Sequence, residues 1–171
     1  NYVEIRHRPE EDTPLKNKQK GERPVYLDDT YTTLLQDYIQ ARRHDVTDEY
    51  GREPLFASTH GRSSISMLRE HIYSLSRPCM YDDGHCPHDR DMEDCEAAQR
   101  IQDASKCPSS ISPHTVRRGS ITHWLKQDED GTNKSAISKR VNSTESVIEK
   151  HYDKRSELEK MHQRKNLFSD N

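Results

Sequence analysis

Apolar side chains are scarce in this chain: 29% of its 171 residues are hydrophobic and 6% aromatic, with two phenylalanines and one tryptophan. Burial of apolar surface drives folding, so a thick core is excluded. Two states remain: a thin-cored domain with a heavily solvated surface, or a partly disordered chain. Periodic apolar segments favour the first, and the length suffices for one domain. No apolar run approaches the roughly 20 residues that span a bilayer, and no secretory signal opens the chain. A soluble, cytoplasmic protein with no membrane partner is expected. Internal repeats are absent. The first residue is Asn1, and Asn1, Tyr2, Val3, Glu4, Ile5 and Arg6 read as the middle of a strand, so a fragment of something longer is expected.

Positive charge is also lacking. The formal net charge is −3, which argues at first sight against nucleic acid, because phosphate contacts need Lys and Arg. The acidity is local, however. From Cys79 to Cys107 eight acids face three bases, so this segment carries −5 and leaves about +2 for everything else. A weakly basic remainder is compatible with DNA.

Residues 2–8 alternate apolar and polar as a half-buried strand does, and Val25, Tyr26 and Leu27 form a second short run. Between them a Lys-rich stretch with Gly21 predicts a β-hairpin with a basic tip. Asp28, Asp29 and Thr30 offer N-cap residues for a helix over 31–44. Residues 54–57 read as extended. Ser63 or Ser64 caps a second helix whose face carries Ile65, Leu68, Ile72 and Leu75. Residues 78–112 lack periodicity and hold all four cysteines. Ser112 and Pro113 begin a third helix, with Pro113 where its missing N–H costs nothing. His114, Arg117, Ile121 and Trp124 line its inner face, and Asp128, Glu129, Asp130 and Gly131 end it. A short helix over 134–140 follows. Asn142 with Glu145 predicts a capping box for a helix through Val147, Ile148, His151 and Tyr152. Residues 156–165 predict a charged helix anchored by Leu158 and Met161. The expected class is α+β, mainly helical.

The chemistry concentrates in Pro113, His114, Thr115, Val116, Arg117, Arg118 and Gly119, with Tyr152 lying 35 residues beyond Arg117. His114 and Arg117 share a helical face because residues three apart are neighbours. They sit in a first turn, where free backbone N–H groups and the helix dipole favour an anion. A phosphate there accepts hydrogen bonds from the guanidinium fork while the imidazole moves or shares a proton. A phenol titrates near ~10 and is a poor nucleophile at neutral pH. Beside cations that hold a phosphodiester it can still attack phosphorus. The bland alternatives are a core tyrosine, a capping histidine, and an arginine paired with Glu145 or Glu149.

The run from His114 to Gly119 resembles the His-x-x-Arg box of tyrosine recombinases, the phage-integrase family. In that family a short helix and a turn separate the box from the Tyr, as residues 134–142 do here. A further likeness is a catalytic Lys on a β-hairpin ahead of an Arg-x-Val-Pro-Leu-like run, here Arg23, Pro24, Val25, Tyr26 and Leu27. The resemblance covers nearly all of residues 1–155 and implies a C-terminal catalytic domain over 1–171. It implies Tyr152 as the nucleophile forming a 3′-phosphotyrosyl link, Arg117 as one of two arginines clamping the phosphate, and His114 as general acid/base. Lys16 or Lys18 protonates the leaving 5′ oxygen, with Lys16 slightly preferred because it closes the extended run Thr13, Pro14 and Leu15. The implied partners are double-stranded DNA and three further copies in a tetramer, with residues 156–165 as a docking segment. No cofactor is implied for catalysis. Two departures stand out: Ser143 occupies the position nine residues before the Tyr where a His or Trp is usual, and no first clamp arginine precedes the hairpin. The chain alone is therefore expected to cleave DNA poorly or not at all.

Cys79, Cys86, Cys95 and Cys107 are spaced by six, eight and eleven residues. In a cytosolic chain disulfides are disfavoured, and four thiolates point to a structural zinc that staples an insertion over 78–112. His85 or His88 is an alternative fourth ligand. The insert, with the run from Lys106 to His114, is similar to that of integrase-like proteins of halophilic archaea. A second functional reading is a zinc-stabilised DNA-binding module that has lost catalysis.

Overall fold

The structure, a computed structural model, describes residues 1–82, 84–128, 133–153 and 155–168, without the side chains of 163, 164 and 166–168. The chain divides into two compact units, Asn1–Ile65 and Ser66–Asn171, and each is described by itself. The class is α+β and mainly helical, with two small antiparallel sheets.

In the first unit β1 (Tyr2–Ile5) pairs antiparallel with β2 (Arg23–Tyr26), Tyr2 facing Tyr26 and Ile5 facing Arg23. The strand expected to reach residue 8 stops earlier because Pro9, which has no N–H to give a ladder, opens a 3₁₀ turn over Pro9–Glu11. A second such turn, Lys18–Gly21, forms the tip. The connection is pinned by His7, whose Nδ1 accepts from the Leu15 amide at 2.8 Å, while Glu22 accepts from the His7 amide at 2.8 Å. Helix α1 (Asp29–Ala41) starts two residues before the expected 31, since Asp28 caps it by accepting from the Thr30 amide at 2.8 Å. No residue of α1 is buried. β3 (Ala57–Ser58) and β4 (Gly61–Arg62) pair as a short hairpin, so only the end of the expected extended run is a strand.

With few apolar contacts, this unit is tied by an arginine. Arg52 Nη1 donates to Glu11 Oε2 at 2.8 Å, Arg52 Nη2 to the Glu11 carbonyl at 2.9 Å, and Arg52 Nε to Asp48 Oδ2 at 2.9 Å. The guanidinium holds the Asp48 carboxyl below its ordinary range and is itself raised by that partner.

The second unit begins within α2 (Ile65–Leu75), where the expected apolar face is half right. Leu68 and Ile72 are half-buried, but Ile65 and Leu75 are exposed. The cysteine segment is not structureless: a 3₁₀ turn at Pro78–Met80, helix α3 (Glu96–Gln99) and a 3₁₀ helix at Ile101–Lys106 build it. Helix α4 (Pro113–Gln127) follows, capped by Ser112 Oγ, which accepts from the Thr115 amide at 3.1 Å. Asp128 is its C-cap; the remaining residues expected to end it, Glu129, Asp130 and Gly131, lie outside the described residues. Helices α5 (Lys134–Val141), α6 (Glu145–His151) and α7 (Glu157–Phe168) complete the chain.

The cap of α6 differs from the expected one. Thr144 Oγ1 accepts from the Val147 amide at 3.3 Å, whereas Asn142 sits in the left-handed region (φ 50) and ends α5. Asn tolerates that conformation better than most residues, so it stops one helix instead of starting the next.

The core joins Ile121 and Leu125 of α4, Ile137 and Val141 of α5, Ile148 of α6, and Tyr152, with Trp124 packed against it. Each fully buried aliphatic side chain contributes roughly 1.5–3 kcal/mol, so this small cluster is what holds α4 to α6 together. Leu125, not His114 or Arg117, extends the stripe, and Val147 of α6 is 40% exposed. Among the described residues no helix is long and apolar enough to cross a membrane.

Candidate active site

Tyr152 follows directly on α6 and is 9% exposed, with Ile148 and Ile121 among its core companions. Three contacts fix the backbone around it. Its amide donates to the Ile148 carbonyl at 2.8 Å, its carbonyl accepts from Thr122 Oγ1 at 2.9 Å, and Asp153 and Arg155 lock the chain beyond it. The last pair is buried. Arg155 Nε and Nη2 fork onto the two Asp153 oxygens at 2.7 and 2.6 Å, and Nη1 donates to the Leu125 carbonyl at 3.1 Å. That fork holds the Asp153 carboxyl below its ordinary range and raises Arg155. The main chain at Tyr152 is therefore held against α4.

His114 and Tyr152 are brought together: their ring centroids lie 6.3 Å apart at an interplanar angle of 58°. Arg117 is turned elsewhere. Its Nη2 donates to the carbonyl of Val141 at 2.6 Å, so its partner is neither Glu145 nor Glu149 but the end of α5. The first turn of α4 also offers an anion fewer donors than its sequence suggests. Pro113 has no N–H, and the Thr115 amide is taken by Ser112. Ser143 gives its carbonyl to Ser138 Oγ at 2.6 Å and serves the end of α5.

The cations instead gather one turn further along. A cleft of about 450 Å³ is lined by Thr115, Arg118, Gly119, Thr122, His123, Lys126, His151 and Tyr152. Arg118, Lys126 and the two histidines were missed in the sequence, although the signal was there: positions 115, 118, 119, 122 and 126 recur at three and four residues, one face of a helix. No Cβ fills the space over Gly119, which has nothing within 4 Å of that position. Such a cleft, walled by Arg, Lys and imidazoles with a phenol at its edge, suits a phosphodiester. Lys16 and Lys18 belong to the first unit, Lys18 at the start of the hairpin's 3₁₀ tip with φ 50.

Cys79, Cys86, Cys95 and Cys107 are all half-buried and none is in a disulfide. All four line one small cavity, together with His88, Arg77, Arg90, Pro78, Pro87 and two alanines; His85 does not. Among the described residues no group of three or more His, Cys, Asp or Glu side chains is already arranged as a metal ion requires. The donors thus fit zinc by type and by shared cavity, while their sulfurs are not drawn onto one centre.

Comparison of the chain with protein-family models, with curated proteins and with solved structures finds no match.

Proposed function

We propose that this chain is the catalytic domain of a tyrosine recombinase, cutting and rejoining double-stranded DNA through Tyr152. The observation that carries the reading is the convergence of the Tyr152 and His114 rings, 6.3 Å apart, beside a cleft lined by Arg118, His123, Lys126 and His151. The phenolic oxygen attacks a phosphorus, forming an O–P bond and releasing the 5′ oxygen, while the phenolic proton passes to His114. The product is a 3′-phosphotyrosyl ester and a free 5′-hydroxyl, and attack by another 5′-hydroxyl reverses the step. One ester replaces another, so no nucleotide triphosphate is consumed. The cleft cations Arg118 and Lys126 offset charge on the non-bridging oxygens, and a clamp role for Arg117 is assigned on resemblance to the family alone. The proton for the leaving oxygen is assigned to Lys16 or Lys18 on resemblance to the family alone. A tetramer on two DNA sites, in the cytoplasm, completes the reading.

Covalent trapping tests it. Nicked duplexes with randomised arms lose the short 5′-hydroxyl fragment after cleavage, so the adduct cannot religate. A protein–DNA species that survives detergent, disappears with protease and is absent from Tyr152→Phe supports the reading. An adduct undiminished in that variant contradicts it.

A second reading is a DNA-binding module that has lost catalysis. The bond from Arg117 to Val141 favours it, because a guanidinium committed to a carbonyl is withdrawn from phosphate. It predicts binding of the same duplexes with no adduct.

A further inference from the structure

We infer that Cys79, Cys86, Cys95 and Cys107 form a single tetrahedral zinc site that fixes the segment leading into α4. The inference is independent of what α4 does to DNA.

Four cysteines separated by up to 28 positions in the sequence line one cavity of about 10 Å³, room for one water-sized body. Zinc takes four sulfurs at about 2.3 Å, and a tetrahedral all-sulfur set selects zinc or iron over the oxygen-seeking ions; metal analysis of the purified chain distinguishes the two. The backbone presents each sulfur from a turn. The carbonyls of Cys86, Cys95 and Cys107 accept from amides three residues on, Asp89 at 3.1 Å, Ala98 at 2.8 Å and Ser110 at 3.1 Å, and Cys79 sits in the 3₁₀ turn of Pro78–Met80. Turns of this kind are held by backbone bonds, not by the cysteine side chains, so each thiol can change rotamer without disturbing its turn.

Charge points the same way. Four thiolates around Zn²⁺ carry −2, and the cavity wall includes Arg77 and Arg90. Arg77 is buried and donates to the Ala97 carbonyl, to the Ser74 carbonyl at 3.1 Å and to Ser74 Oγ at 3.1 Å, so its charge is held in place beside the sulfurs. His88 lines the same cavity with its Nε2 2.9 Å from Ser109 Oγ; four sulfurs already complete a tetrahedral set, so the site does not require it as a ligand.

The consequence reaches α4 through two residues. Beyond Cys107, the Ile111 amide donates to Ser76 Oγ at 2.8 Å, one residue before the Ser112 cap, and Ser76 adjoins Arg77. Closing the metal site therefore ties the end of α2 and the start of α4 to one anchor.

The test uses the full chain purified under reducing conditions without chelator. The expected result is one zinc per chain, four thiols shielded from Ellman's reagent until the metal is removed, and, after exchange to cobalt, thiolate-to-metal charge transfer with the d–d bands of a tetrahedral ion. Cys86→Ser loses about a quarter of that charge-transfer intensity, while His88→Ala keeps it. Chelation speeds amide exchange over residues 107–116. Freely reactive thiols with substoichiometric metal, or disulfides in the reduced preparation, overturn the site. Loss of intensity in His88→Ala overturns the four-sulfur assignment, and unchanged exchange over 107–116 overturns the coupling to α4. The wild-type thiol and cobalt readings decide the case even if a variant fails to fold.

Discussion

Arg117 Nη2 donates to the carbonyl of Val141 at 2.6 Å. The arginine of the His-x-x-Arg box is thereby part of the joint between α4 and α5, whatever it does to a phosphate. A charge-assisted bond of this kind contributes about 1.5–3 kcal/mol. Arg117→Ala is expected to lower stability by about 2 kcal/mol in urea unfolding, with the slope unchanged. Unchanged stability would mean that the guanidinium is free for other partners.

Acid should loosen the end of α6. Asp153 is held below the ordinary carboxylate range by the Arg155 fork, so the stability it confers is complete above the unfolded value near ~3.9 and is lost as pH falls through the lower folded one. Asp153→Asn removes the carboxylate that balances a buried arginine and costs about 3 kcal/mol at neutral pH. The variant's stability should also lose much of its decline below about pH 4. Thermal unfolding of both proteins across pH 2–7 (roughly the carboxylate range) measures the difference.

The cleft predicts a salt signature. Each phosphate contact contributes about −0.9 to the slope of log affinity against log salt. Arg118→Ala with Lys126→Ala should make that slope shallower by roughly 2, read by fluorescence anisotropy on a generic duplex. An unchanged slope would place DNA on another face.

Gly119 stands in the middle of α4 with nothing near the position of a Cβ. Alanine there should stabilise the helix by about 0.5–1 kcal/mol. The same methyl group projects into the cleft, so DNA affinity should fall while the melting temperature rises.

Much of this was legible in the sequence, for physical reasons. Ser112 and Pro113 announced α4 because a hydroxyl cap and a proline are both suited to a first turn, and the helices expected over 134–140 and through Val147 to Tyr152 are found at Lys134–Val141 and Glu145–His151. The cap at Thr144 was not legible, since Asn142 satisfies the same pattern and only its left-handed φ reveals that it ends α5. Arg117 could not be assigned either: its partner is a backbone carbonyl, which leaves no mark in residue type. The cationic cleft was written in the spacing of α4, but His114 and Arg117 drew attention to the neighbouring face. Four cysteines in one aperiodic segment were legible in the sequence; that all four line one cavity, with His88 rather than His85 beside them, came from the fold.

The central claim is that the Tyr152 oxygen becomes esterified to DNA. Its most direct measurement is mass spectrometry of protease digests taken after trapping on nicked duplexes. The account predicts a nucleotide mass on the peptide containing Tyr152, fragmenting to phosphotyrosine at that residue, and none on the peptides carrying the other tyrosines. Nucleotide mapped to a different side chain, or an unmodified Tyr152 peptide in a preparation that has cut the duplex, would contradict it.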